Sequence, residues 1–298
     1  IKMNLQKVDV AVNVFGKPYQ TIVAINSLLK YSGQHIHKIY LIVEKKQKNE
    51  GDIDIIKRHI QFENIEYFTP DFYFGWWPGR RIGLLNLLLS KFKKYRYSIR
   101  YQYAYEKSNK DFLFLMHNDM IFSDDLIGAY LSSIGESVGI GKIGQCHNCP
   151  AFETHCTPKT YTEFKPSFTE LVKLYDKFPD SRIVVNNILE RQKRNWPLPE
   201  CRLNEFASLI NLKKSRKVTI PNGSKMPPGY MGLIDTGIDW FYQLNNLGLT
   251  FKHFDYSKFA EHSWAIPEQS AGHEALFNDD LYHREEEIAK KHVEEGNY

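Results

Sequence analysis

Two groups of residues have the types and spacing to do chemistry. The first is His117-Asn118-Asp119, which closes the apolar run Phe112-Leu113-Phe114-Leu115-Met116. In open α/β sheets ligands bind outside the carboxyl ends of the strands, where this triplet would stand. Hard cations such as Mg²⁺ and Mn²⁺ take carboxylate oxygens and keep positions for phosphate oxygens. Asp119 therefore reads as a metal or diphosphate contact, against the plainer reading of a turn or cap. His117 reads as a ligand or base contact, or as a hydrogen-bonded strand-end histidine. The second group is Cys146, Cys149, Cys156 and Cys201, all the cysteines of the chain. A C-x₂-C pair lets two sulfurs reach one ion from a tight turn, and four ligands fill a structural zinc site. His147 and His155 are alternatives for one position. Buried apolar cysteines, a redox pair and an iron–sulfur cluster are the competing readings. Zinc is favoured because nothing else in the chain points to electron transfer.

The elements that must position these groups follow from periodicity. Val8-Asp9-Val10-Ala11-Val12-Asn13-Val14 is a β-branched run that ends at Gly16 and Pro18, a buried strand. Helical spacing follows over 19–31 and stops at Gly33. Residues 39–43 read as a second strand, 52–60 as a short helix and 65–68 as a third strand. The order βαβαβ implies a mostly parallel sheet with helices on both faces. Helical patterns at 82–92 and 98–108 lead into the strand that carries the triplet, and another follows at 125–133. From Gly144 to Pro228 the character changes: cysteines, prolines and mixed polar runs suggest an inserted Cys-rich subdomain, with helices near 167–175 and 183–193. The sheet pattern returns weakly over 231–254. The tail, 279–295, is a charged helix with Glu286–Lys290 and Glu287–Lys291 pairs and needs no role beyond a soluble helix. The expected division is 1–143, 144–228 and 229–298.

Composition bounds the reading. The chain has 298 residues, 42% hydrophobic and 25% charged, which excludes global disorder. Lys plus Arg number 39 against 35 for Asp plus Glu, and the net charge of +4 is too mild to demand a nucleic-acid partner. No apolar stretch of about 18 residues occurs, and the start has no apolar signal core, so a cytoplasmic protein with reduced cysteines is expected.

Residues 100–119, from Arg100 through a helix and a polar turn into the apolar strand and its His-Asn-Asp end, resemble a stretch of GT-A nucleotide-sugar glycosyltransferases, the inverting "family two" type in particular. Residues 9–44 are similar to that family's first βαβ unit. The resemblance covers roughly 8–135, and weakly 229–275. It implies a GT-A, Rossmann-like fold and transfer of a sugar from a nucleotide-diphosphate donor to a hydroxyl, with inversion. It implies that Asn13, Val14 and Phe15 frame the nucleoside, that Glu44 meets base or ribose, and that Arg100 approaches base or diphosphate. His117, Asn118 and Asp119 stand at the family's DxD motif, with His117 in place of the first acid. Asp119 would hold Mn²⁺ or Mg²⁺, with His262 and His273 of a later loop completing the shell; two solvated loop histidines are the other reading. Residues 232–242 resemble the region that supplies the catalytic base. Asp239 is favoured there over Asp235, which also reads as a helix cap.

The implied acceptor is a glycan or lipid-linked oligosaccharide. Lys91, Lys93, Lys94, Arg96 and Arg100 would then either touch an anionic surface at the inner face of a membrane or form a solvated helix face. Trp76-Trp77-Pro78-Gly79-Arg80-Arg81 reads as a loop over the diphosphate, an acceptor platform, or a packed loop. Two other functions compete. A nucleotidyltransferase would normally show a Gly-rich phosphate loop after the first strand, where only Gly16 stands. A zinc-stabilised, non-catalytic sugar- or nucleotide-binding module is the other.

Overall fold

The computed structural model describes residues 5–72, 88–267 and 274–298. The strands are β1 (Val8–Val14), β2 (Ile36–Val43), β3 (Ile65–Phe68), β4 (Phe112–Met116), β5 (Met120–Phe122), β6 (Gly139–Ile143), β7 (Leu203–Asn211), β8 (Phe251–His253) and β9 (Ala260–His262). Seven of them form the central sheet, in the order β3-β2-β1-β4-β7-β6-β8. The first four are parallel neighbours, β7 runs antiparallel between β4 and β6, and β8 is parallel to β6. A separate two-stranded sheet pairs β5 with β9. The mostly parallel, helix-flanked α/β sheet expected from the sequence is present.

Helices flank the sheet: α1 (Pro18–Ser32), α2 (Asp52–His59), α3 (Lys93–Tyr97), α4 (Gln102–Lys107), α5 (Leu126–Ser133), α6 (Phe168–Tyr175), α7 (Arg182–Val185), α8 (Ile188–Gln192), α9 (Leu212–Ser215), α10 (Ile238–Asn245) and α11 (Asp279–Glu294). None of them is long and apolar enough to cross a membrane.

The period of two along the strands divides the core between the two faces. Val8, Val10, Val12 and Val14 of β1, with Phe112, Phe114 and Met116 of β4, join α1 in one cluster. Ala11, Leu113 and Leu115 point the other way, into a cluster with Tyr40, Trp240 and Phe241. A fully buried Val, Leu, Phe or Met side chain contributes about 1.5–3 kcal/mol. Both faces of β1 and β4 are thus anchored, which fixes where their carboxyl ends project.

Three expectations need correction. The single helix over 98–108 is broken by Tyr101, whose φ of 61° is left-handed, so α4 starts only after it. The 144–228 segment supplies β7, a central strand of the main sheet. Its pattern escapes alternation because Asn204, Glu205 and Ser208 are buried along with its apolar residues. The C-terminal helix is not a merely solvated one, because Glu285 and Glu286 are buried. Lys290 pairs with Glu294, at 3.6 Å, and Glu286 caps α1. Lys17, the residue before α1, has a left-handed φ of 53° and no side-chain cap of its own, and Pro18 opens the helix. The amides of Tyr19 and Gln20 donate instead to Glu286, at 2.9 and 3.3 Å, and Lys17 N–H donates to Tyr282 Oη at 2.8 Å.

Candidate functional site

The site lies where β1 and β4 are neighbours but the chain leads on from them toward opposite edges of the sheet, the place where open α/β sheets leave a crevice. From β1 the chain turns through Phe15, Gly16 and Lys17 into α1. From β4 it runs through His117, Asn118 and Asp119 into β5. Asn118 ties the two loops together, its amide donating to Gly16 O at 3.3 Å and to Thr21 Oγ1 at 3.0 Å. The small sheet places the third partner. Met120 pairs with His262, and Ser263 N–H donates to Asp119 O at 2.9 Å. His262 is thereby held beside the triplet, although 145 residues separate it from His117.

The ligand atoms of His117, Asp119 and His262 lie within 4.8 Å of one another. His262 Nε2 is 3.3 Å and His117 Nδ1 3.8 Å from Asp119 Oδ1, and the two ring nitrogens are 3.2 Å apart. Asp119 Oδ1 is buried and accepts no well-formed hydrogen bond. Its other oxygen, Oδ2, faces Lys17 Nζ at 3.4 Å, and that ammonium also meets Glu285 of α11 at 3.0 Å. Burial alone would raise the Asp119 carboxyl; His262, Lys17 and His117 outweigh it and hold the group well below the usual range. Burial lowers His117, against the pull of Glu205. The site thus presents an ionised carboxylate and two imidazoles with one buried oxygen unsatisfied, a donor set that fits a divalent cation.

Behind this set stands a charge network. Glu205 of β7 meets His117 Nε2 at 3.5 Å, Arg202 at 3.0 Å and Arg100 at 3.9 Å. Arg202 first, then the His117 contact and Arg100, hold its carboxyl low despite burial. Arg202 continues to Asp235 at 3.1 Å, which also accepts from Gln145 at 2.8 Å and meets Arg182 at 3.6 Å. Asp239 in the first turn of α10 is paired with Arg194 at 2.5 Å. Both expected base residues are therefore tied to arginines of the Cys-rich segment.

Of the other expected contacts, Asn13 accepts from Tyr101 N–H at 3.4 Å, and the Val14 carbonyl accepts from Glu44 N–H at 3.0 Å. Phe15 is half-buried in the same strand-end loop. Glu44 is buried at the end of β2 with Oε2 unpartnered; burial raises its carboxyl to about 7, against Arg100. His273 and the Trp76–Arg81 loop lie outside the described residues. Sequence reasoning missed Lys17, Glu205, Arg202 and Glu285. The signal was a set of charges within otherwise apolar or helical runs, which need partners when buried.

The expected closed cysteine group is not formed. Cys146, Cys149, Cys156 and Cys201 line one cavity together with Glu200 and Tyr161. No three of their sulfurs come within 4.8 Å of one another, and Cys146 Sγ is turned toward Ile143 O at 3.8 Å. Burial pushes Cys146 up to about 11 and Cys149 up to about 12, and Cys201 well above its usual range, with the neighbouring sulfurs adding to each.

No family model matches the sequence, and no curated protein matches it. Solved structures do overlap with it in part. The galactosyltransferase LgtC, in complex with donor and acceptor sugar analogs, is 13% identical, with 70% of this chain and 60% of that one covered at a TM-score of 0.38. A mannosyltransferase from Pyrobaculum calidifontis, in complex with GDP-Man and Mn²⁺, is 6% identical, with coverage of 85% and 55% and a TM-score of 0.46. Mouse xyloside xylosyltransferase 1 is 12% identical, with coverage of 84% and 86% and a TM-score of 0.41. The chain spans less than two thirds of the length of the first two.

Proposed function

We propose that the chain is a metal-dependent glycosyltransferase that moves a sugar from a nucleoside-diphosphate donor to a hydroxyl acceptor. The observation that carries this reading is the convergence of His117, Asp119 and His262 at the carboxyl end of β4, beside the β1–α1 loop, with Asp119 Oδ1 buried and unsatisfied. The cation held there would offset the negative charge that grows on the departing diphosphate. Two imidazoles favour Mn²⁺, which accepts nitrogen donors, over Mg²⁺, which prefers an all-oxygen shell.

The chain's own groups do the rest. Lys17, salt-bridged to Asp119, keeps that carboxylate ionised and orients it, so Oδ1 faces the two imidazoles. Asn13, Val14 and Phe15 border the donor crevice, with Glu44 and Arg100 close to them. Asp239 is the proposed base that takes the acceptor proton, with Asp235 second; the inversion this implies rests on the sequence resemblance alone. Arg194, paired with Asp239 at 2.5 Å, holds its carboxylate in place. The acceptor is a glycan or a lipid-linked oligosaccharide. Exposed Lys91, Phe92, Lys93 and Lys94 support a peripheral contact with an anionic surface, whereas Arg96 is buried against Glu106 and takes no part in it.

The test of the transferase reading is hydrolysis or transfer from a panel of nucleotide sugars with Mn²⁺. Turnover that is lost in Asp119→Asn supports it; turnover undiminished in that variant overturns it.

A further inference from the structure

The cluster His117, Asp119 and His262 brings one formal negative charge to a dication. A further carboxylate faces His117 from the antiparallel strand beside β4: Glu205. It is buried, and a carboxylate taken out of water needs a paired partner. Its Oε2 meets Arg202 at 3.0 Å. Its Oε1 is turned to the other side, toward His117 Nε2 at 3.5 Å and Arg100 at 3.9 Å. His117 Nε2 is buried and has no well-formed hydrogen bond. The imidazole thus stands between two acids. One nitrogen, Nε2, faces Glu205. The other, Nδ1, faces His262 Nε2 and Asp119 Oδ1. The pairing of the strands sets this up, since His117 N–H donates to Phe206 O at 3.1 Å and so fixes β4's end against the residue next to Glu205.

We propose that Glu205 is a positioning residue for the metal site. Its carboxylate accepts the Nε2 proton of His117, which fixes that tautomer and leaves the Nδ1 lone pair facing the cation beside Asp119 and His262. A metal-bound imidazole commonly donates its other N–H to a carboxylate, which sets its orientation and raises its basicity. Glu205 would thereby strengthen electron donation from Nδ1 to a cation held there, without binding it directly. Arg202 and Arg100 keep that carboxylate ionised. The inference rests on the reading of the cluster as a metal centre.

The experiment is a titration with Mn²⁺ alone, followed by the electron paramagnetic resonance signal of the free ion. The proteins are the wild-type chain, Glu205→Gln, His117→Ala and the double variant, each checked for a native melt. Glu205→Gln is expected to weaken binding about 10–100-fold. In the His117→Ala background it should add almost nothing, because the effect passes through the ring. Equal binding by wild type and Glu205→Gln overturns the inference, as does an undiminished effect without His117. A wild-type chain that takes up no Mn²⁺ overturns the metal reading itself, and the inference with it. Long-range ¹H–¹⁵N correlation on the metal-free wild type reads the tautomer directly and needs no variant: Nε2–H is expected, and Nδ1–H contradicts the proposal even if Glu205→Gln fails to fold.

Discussion

Asp119 has two oxygens with different partners, and this division is the residue-scale basis of the proposed site. Oδ2 belongs to Lys17, and Oδ1 is left toward two imidazoles. Replacing His262 by Ala leaves Lys17 in place and removes one proposed ligand, so Mn²⁺-dependent activity should fall at least tenfold while the melting temperature stays near that of the wild type. Activity unchanged in His262→Ala, measured at limiting Mn²⁺, would remove His262 from the site. Substituting Mg²⁺ for Mn²⁺ should lower activity at equal concentration, because two of the three donors are nitrogen. The triplet itself was legible in the sequence, since an apolar strand ending in polar groups marks a sheet end. His262 was found only through a resemblance, because a histidine in a loop carries no local sign of what it faces. Lys17, Glu205 and Arg202 were not found at all: single charges in a sequence do not reveal whether they are buried.

At the scale of elements, α1 depends on a helix from the far end of the chain. Glu286 accepts from the amides of Tyr19 and Gln20, a service usually given by a local Ser, Thr, Asp or Asn. Glu286→Ala should cost about 1–2 kcal/mol, the usual range for a lost cap, and should also loosen the Lys17 turn that borders the site. A denaturation midpoint unaffected by this change would contradict the capping role. Periodicity identified α11 as a helix but could not show which face was buried, because Glu285 and Glu286 lie on the buried side among exposed charges. A second close approach joins Gly229 to the turn before α4. A Cβ at Gly229 would lie 1.8 Å from Arg100 O. Gly229→Ala should therefore destabilise the chain by about 1–3 kcal/mol, as overpacking does, and displace Arg100. A variant as stable as the wild type would show that this contact yields.

For the whole molecule, the parallel half of the sheet was readable because β4 is a continuous apolar run and β1 and β2 are rich in apolar and β-branched residues. The antiparallel half was not: β7 carries buried Asn204, Glu205 and Ser208, and its pairing is decided by tertiary packing rather than by alternation. Buried acids also set the pH behaviour. Burial raises Glu44, Glu200 and Glu286 each to about 7, with hydrogen bonds or a cation offsetting part of the effect. Their folded pKa lies above the unfolded value, so the folded chain binds these protons more tightly. The stability they contribute is fully present below the ordinary carboxylate range and is lost as pH rises through about 7. The melting temperature should fall between about pH 4.5 and pH 7, and Glu286→Gln, which keeps an acceptor for Tyr19 N–H, should flatten part of that fall. A melting temperature that rises over this interval would contradict the assignment.

The most direct measurement is thermal melting of the chain with a panel of nucleoside diphosphates, with and without Mn²⁺. A ligand at a hundredfold excess over its Kd stabilises the native state by about 2.7 kcal/mol. A rise in melting temperature that needs both one nucleoside diphosphate and Mn²⁺, and that disappears in Asp119→Asn, is the predicted result. No rise with any nucleoside diphosphate, with or without the metal, would contradict the account.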